Sequence, residues 1–358
     1  MKHCHHPWEG MVINPQGFIT HCCEAPKVYV AHIDEVSSLT DTFNNHPSFK
    51  KFRETIPSSC LKCIWKEQRG ISTAKSSFSL PTEWNGKIRR LEYTLSNLCN
   101  ATCSMCSSYF SSSWFKYDKE FPVSSLSESA FQKILDIIPS VEHLIIKGGE
   151  PFADKRNLII LRKYLKESTG NVDIITNGSL LSEEFFDRRV KPSISIDGTH
   201  DVYRWIRSTD WDTVIDNMKR FFEATGKGVS VESCISLHNY FYVDQYYDYF
   251  LDKPYVRLVN QSHFVDKPRY NSIHCLPDDM LMDQKEKNLK ILEKYKDHPK
   301  FGETNYSAMK SIKPSRNFNS ECTKEAAFIH IDKVNKMRGF DLLDFVPELR
   351  EWRGSLTI

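Results

Sequence analysis

Cys99, Cys103 and Cys106 share one short stretch, Cys99-Asn100-Ala101-Thr102-Cys103-Ser104-Met105-Cys106, close enough for three thiolates to ligate one metal centre. Three thiolates hold three irons of a [4Fe-4S] cubane, and because a closed cluster takes four, one iron is left open to a ligand that is not protein. A structural zinc site completed by a distant His or Cys uses the same kind of trio. Eight of the eleven cysteines lie before residue 110, and Cys234, Cys275 and Cys322 follow. The N-terminus has no apolar stretch of signal-peptide type and no run reaches membrane-spanning length, so the expected compartment is the cytoplasm. Thiols stay reduced there, which turns clustered cysteines toward metal or redox chemistry and away from disulfides.

A second thiol set precedes the trio. Asn14-Pro15-Gln16-Gly17 reads as a hairpin turn, which brings Cys4 and Cys22 near each other on paired strands. With Cys60 and Cys63, spaced CxxC, they make four thiolates, enough for a closed auxiliary cluster or for a zinc ribbon. Cys23 competes with Cys22 as the ligand. His3, His5 and His6 read as an exposed or frayed terminus, Cys234 as a small core residue, and Cys275 and Cys322 carry no motif.

These groups have to be positioned by elements the pattern makes visible. From Ile88 onward, short β-rich runs alternate with longer amphipathic ones, the pattern of βα units around a parallel sheet. Strands are predicted over 88–95, 143–147, 172–176, 193–197, 229–236 and 255–260. Helices are predicted over 128–138, 157–167, 183–189, 211–224 and 240–251, with Ser182 as an N-cap and Gly226 as a C-cap. The trio thus sits just past the first strand, where such folds place their chemistry. The Ser/Thr/Pro-rich stretch 72–86 reads as a linker, and beyond residue 277 the chain is lysine-rich and mostly helical, with a basic, less regular segment over 310–319.

The trio resembles the CxxxCxxC signature of the radical S-adenosylmethionine (SAM) superfamily, and further elements follow in that family's order. Gly148-Gly149-Glu150-Pro151 is similar to its GGEP motif, Thr176-Asn177-Gly178 and Ser193 to Gly198 to its later strand ends, and Tyr203 to Arg207 to an arginine region of its peptide-modifying members. The resemblance implies a [4Fe-4S] cluster on Cys99, Cys103 and Cys106. It implies SAM contacts from Gly148, Gly149, Glu150 and Pro151 to the methionine amino group, and from Asn177, Ser195 and Asp197 to ribose or carboxylate. Arg207 would meet the carboxylate, and the Met105 backbone the adenine. Met105 departs from the family, which usually has an aromatic residue there. Asp197 has capping of the next turn as its plain alternative. The spacing from Cys4 through Gly17 to Cys22 resembles the twitch and SPASM auxiliary modules, which usually follow the barrel and here precede it. Four thiols suit the shorter twitch type.

The implied fold is α/β, a partial (β/α)6 TIM-type barrel over 81–276, with a small cysteine-rich hairpin module and linker over 1–80 and a helical C-terminal extension over 277–358. The implied reaction is reductive cleavage of SAM to a 5′-deoxyadenosyl radical that takes hydrogen from a substrate carbon, with flavodoxin or ferredoxin as the electron donor. A peptide or protein side chain is the favoured substrate, and a sugar, nucleotide or cofactor precursor the alternative. A non-enzymatic zinc protein leaves the ordered strand-end motifs unexplained. No residue stands out as the catalytic acid or base; Glu232 and Lys147 lie near strand positions that barrel packing also explains. A net charge of +2 gives no field argument for nucleic acid or for an anionic membrane, and 40% hydrophobic with 26% charged residues indicates a folded chain.

Overall fold

The computed structural model describes residues 4, 6–23, 28–55, 60–68, 85–265, 267–314 and 323–355. His3, His5, Cys322, most of the expected linker and part of the basic segment over 310–319 lie outside them. The chain divides into two units, the first comprising Met1–Asn100, Ser108–Thr176 and Ser182–Pro192, the second Ala101–Ser107, Asn177–Leu181 and Ser193–Ile358.

In the first unit a single helical turn, α1 (His6–Glu9), leads into β1 (Gly10–Ile13), β2 (Phe18–Thr20) and β3 (Tyr29–His32). The β1–β2 turn forms because the Asn14 side chain accepts from Gln16 N at 3.0 Å and Phe18 N at 2.9 Å, while Gly17 takes the left-handed φ of 83° that a bulkier residue resists. Helices α2 (Leu39–Asn45), α3 (Pro47–Glu54) and α4 (Leu61–Glu67) complete this part. Phe49 and Phe52 of α3 bury themselves against the ring of His21, which stacks on Phe52 at 4.1 Å. Burial holds His21 neutral by lowering its pKa to about 4.

The six barrel strands follow. β4 (Arg90–Thr94), β5 (His143–Lys147) and β6 (Asn171–Thr176) are parallel neighbours, in register as Leu91, Leu144 and Val172. Leu91, Tyr93, Leu144, Ile146, Val172 and Ile174 are buried on one face. A helical turn, α5 (Phe115–Asp118), then α6 (Glu128–Ile137) and α7 (Lys155–Glu167) connect them, each of the longer two capped at its start by Ser127 or Asp154. The opposite face carries polar pairs: Lys147 with Glu92 at 2.6 Å and His143 with Asp173 at 2.6 Å.

The second unit takes in β7 (Val190–Ser195) from Ser193 onward, with β8 (Val229–Ile235) and β9 (Val256–Phe264) as its successive parallel neighbours. They are joined by α8 (His200–Arg207), α9 (Trp211–Thr225) and α10 (Val243–Phe250). Burying Val214, Ile215, Met218 and Phe221 of α9 contributes roughly 1.5–3 kcal/mol per side chain, and Gly226 ends the helix with a φ of 66°, as expected of a C-cap. Beyond the barrel come α11 (Asp278–Tyr295), α12 (Asn305–Lys310), α13 (Lys324–Arg338) and α14 (Pro347–Gly354), the expected helical extension. The fold is α/β with the strand–helix alternation of a partial (β/α)6 barrel.

Two readings of the sequence need correction. The helix expected over 183–189 is a single 3-10 turn, Glu183–Phe185, and the Ser182 side chain makes no cap bond. Asp187 instead captures Arg189 N at 2.8 Å, and the Arg189 guanidinium binds the carbonyls of Ser168 and Leu165 at 2.7 and 2.9 Å, which turns the chain into β7. The second concerns His6, expected in an exposed or frayed terminus, which is 2% exposed at the start of α1. β1 pairs in parallel with β4, from Gly10 with Arg90 to Ile13 with Tyr93, so the cysteine-rich module adds its strand beside the first strand of the barrel.

Candidate functional site

That pairing decides which end of the module faces which chemistry. The β1–β2 turn lies at the C-terminal end of β4, and there Gln16 hydrogen-bonds the hydroxyl of Tyr109, just past the cysteine loop. Cys22 follows the end of β2 that lies beside the start of β1, since Thr20 pairs with Val12. The hairpin's own thiols are therefore at its open end, away from the turn. Cys22, Cys60 and Cys63 are buried and Cys4 is partly exposed.

In the first unit the approach to Cys99 is fixed from two sides. Gly149 N donates to Ser96 O at 3.2 Å and Glu150 N to Leu98 O at 2.7 Å. A Cβ on Gly149 would lie 2.3 Å from Leu98 O and 2.7 Å from Asn97 O, so glycine is the residue this approach admits. Opposite, Cys99 N donates to Ser112 Oγ at 3.1 Å and Ser113 Oγ donates to Cys99 O at 2.7 Å. Glu150 is 1% exposed, and its Oε1 accepts from Thr176 Oγ1 at 2.7 Å and Phe152 N at 3.1 Å. A carboxylate held in place by neutral donors complements an ammonium group. Pro151 opens the 3-10 turn that carries Phe152.

The second unit carries Cys103 and Cys106 on a turn closed by Cys106 N donating to Cys103 O at 3.0 Å. Arg207, at the end of α8, forms a buried ion pair with Asp197 and sets its Nη1 3.8 Å from Cys103 Sγ. Burial opposes the guanidinium charge, but Asp197, and after it the thiols of Cys103 and Cys234, hold the Arg207 pKa well above the usual range. A fixed cation against Cys103 complements the negative charge of a thiolate-ligated cluster. The same Asp197 accepts from Cys234 N at 2.7 Å, and its carbonyl accepts from Asn239 Nδ2 at 2.9 Å. Burial, then Asp197, pushes the Cys234 thiol up to about 12, which leaves it a neutral thiol. Asn177 turns back on its own segment, accepting from Ser179 N at 2.9 Å. Met105 and Ser195 are partly exposed.

The structure thus joins Asp197, Arg207 and Cys103 in one cluster of contacts and Glu150 with Thr176 in another. Among the described residues no three His, Cys, Asp or Glu side chains are grouped as a metal site, so the ligand assignments rest on cysteine order and donor chemistry. Sequence reading missed the Asp197–Arg207 pair, although both residues sit in the strand-end motifs it singled out. It also missed Thr176 as the partner of Glu150.

Residues 93–244 match the model of the Radical SAM superfamily, and residues 4–64 match SPASM, an iron–sulfur cluster-binding domain. The N-terminal match is to the SPASM type, where thiol count alone favoured twitch, and its description is iron–sulfur and not zinc. No curated protein matches the chain in sequence. Among solved structures, anSMEcpe with bound AdoMet is similar over 56% of this chain and 58% of its own, at 17% identity and a TM-score of 0.43. This chain therefore spans less than two thirds of that protein. Streptococcus suis SuiB bound to precursor peptide SuiA is similar over 86% of this chain and 75% of its own, at 13% identity and a TM-score of 0.43. SAM and [4Fe-4S] clusters are the cofactors that go with the two matched domains. Over 93–244 the chain thus carries a region of radical SAM type, preceded over 4–64 by a SPASM iron–sulfur module.

Proposed function

We propose that this protein is an enzyme that uses SAM to take hydrogen from a carbon of a peptide or protein side chain. The observation that carries the reading is Arg207 Nη1 at 3.8 Å from Cys103 Sγ, with Asp197 bracing the guanidinium, on the loop with radical SAM cysteine spacing. Cys99, Cys103 and Cys106 are assigned to the SAM-binding cluster, and Cys4, Cys22, Cys60 and Cys63 to the auxiliary one. Reductive cleavage of SAM at such a cluster supplies a 5′-deoxyadenosyl radical, the species that abstracts hydrogen.

This chain's residues then have separable tasks. Glu150, backed by Gly148, Gly149 and Pro151, would receive the methionine ammonium. Arg207 has its Nε committed to Asp197 and its Nη1 set beside Cys103, which leaves Nη2 for a carboxylate. Ser195 and Asn177 suit ribose hydroxyls, and the Met105 backbone the adenine. We divide the chain functionally at 1–80, 81–276 and 277–358, with a small electron donor of flavodoxin or ferredoxin type and the cytoplasm as its compartment. No described helix is long and apolar enough to cross a membrane. The SPASM match and the arginine region favour a peptide over a small molecule as substrate.

Isotope transfer tests the substrate. Reduced anaerobic protein given SAM and deuterated peptides encoded beside its gene is expected to release deuterium-labelled 5′-deoxyadenosine. Unlabelled product with every such peptide, together with labelled product from a deuterated sugar or nucleotide, would overturn the peptide assignment.

A further inference from the structure

The cysteine loop has a second support, and it comes from the C-terminal extension. Arg338, the last residue of α13, spreads its guanidinium between two segments. Its Nε donates to Trp205 O at 3.0 Å, its Nη1 to Thr102 Oγ1 at 3.0 Å, and its Nη2 to Thr102 O. Eight residues earlier on the same helix, His330 Nε2 lies 2.7 Å from Ser104 O, where it meets a second donor, Asn271 Nδ2, at 3.0 Å. Between these two contacts Asn335 accepts the Trp205 indole N–H at 2.7 Å. Thr102 and Ser104 flank Cys103 directly, so α13 grips the loop on both sides of one cysteine.

Further polar groups of the loop are engaged too. Thr102 N donates to Ser208 Oγ at 2.7 Å, and Ser104 N to Ile206 O at 2.7 Å. The Ser104 hydroxyl is 3.2 Å from His238 Nδ1, and Ser104 is wholly buried. Rings close the surroundings: Tyr270 packs on His330 at 4.5 Å and Trp205 on His238 at 4.7 Å. A buried carbonyl with two donors is not needed to fold a turn. It fixes where the next amide and side chain point, and outer partners of that kind hold a metal ligand in place and tune the metal.

We infer that α13 is the positioning element of the SAM-cluster loop, with His330 and Arg338 as positioning residues that hold Cys103 and present Met105 to the nucleotide. The inference rests on the assignment of Cys103 to that cluster. It gives the C-terminal extension a task in the chemistry, and it makes the cluster's hold on the protein depend on residues more than 220 positions away in sequence.

The test compares His330→Phe, which keeps a ring but no donor, with His330→Gln, which keeps a donor, and with Arg338→Ala. Reconstituted full-length proteins are reduced, and the SAM-responsive electron paramagnetic resonance signal is followed during exposure to an iron chelator, beside the signal of the auxiliary cluster. In His330→Phe and Arg338→Ala the SAM-responsive signal is expected to decay about fivefold faster than in wild type, the order of factor one buried hydrogen bond commands. The auxiliary signal should keep its wild-type rate, and His330→Gln should decay within about twofold of wild type. If Arg338→Ala does not fold, the two His330 variants decide. Equal decay in wild type and His330→Phe, or parallel loss of both signals, would overturn the inference. A wild-type protein with no SAM-responsive signal would instead overturn the cluster assignment beneath it, so the two failures are told apart.

Discussion

Asp197→Ala is expected to lower the unfolding free energy by about 3–5 kcal/mol, the range for stripping one partner from a buried ion pair. Asp197 is fully buried and Arg207 nearly so, with side-chain exposures of 0% and 14%, so water cannot replace the lost charge. The carboxylate also holds Cys234 N, and that amide loses its acceptor in the same change. The double variant Asp197→Leu with Arg207→Met should be less damaging than Asp197→Ala alone, because it leaves no orphaned guanidinium in the interior. Urea unfolding followed by circular dichroism checks both. A loss under about 1 kcal/mol for Asp197→Ala would show the pair to be solvated and would remove the rationale for Arg207 as a braced cation. Loss of SAM binding should accompany the loss of stability, since Arg207 would then swing free of Cys103.

Gly149→Ala carries the second large effect. The added methyl would stand 2.3 Å from Leu98 O and 2.7 Å from Asn97 O, and both obstacles are backbone. The strand end has to move away from the segment that leads into Cys99, breaking the 2.7 Å bond from Glu150 N to Leu98 O. Overpacking of this kind destabilises by about 1–3 kcal/mol. The functional loss should be greater, roughly 100-fold in 5′-deoxyadenosine formation, because a displacement near 1 Å at a reacting centre has that scale. Gly226→Ala is the control. It meets no atom within 4 Å and suffers only from its φ of 66°, so it should lose about 1 kcal/mol and keep full activity. Full activity in Gly149→Ala would show that the glycine's close approach does not position the site.

The legible part of this protein was the part whose information is local. Alternation of β-rich and amphipathic runs located all six barrel strands, and His143–Lys147 was read with its observed ends. Asn14 and Gly17 announced the hairpin because an Asx turn and a left-handed glycine are properties of four adjacent residues. Pairing of β1 with β4 joins residues 80 apart, and nothing near Gly10 declares it. The expected helix over 183–189 failed because Asp187 and Arg189 bind each other and Arg189 also donates to the carbonyls of Leu165 and Ser168 at the end of α7, contacts that amphipathic spacing does not encode. In the site, residue types were readable and partners were not. Arg207 was singled out by its motif, yet its buried carboxylate and the thiol beside it emerged only when α8 and the strand end after β7 were placed. His330 and Arg338 lie on a helix without any motif, and only tertiary packing brings them to the cysteine loop.

The central claim is that Cys99, Cys103 and Cys106 hold a cluster at which SAM is cleaved. Its most direct test is the amount of 5′-deoxyadenosine formed by anaerobically reconstituted, reduced protein given SAM, measured beside Cys99→Ala prepared identically. The account predicts product from the wild-type protein and none above background from the variant, with the auxiliary cluster still present in both. Undiminished product in Cys99→Ala, or a colourless wild-type protein that binds zinc and no iron, would contradict it.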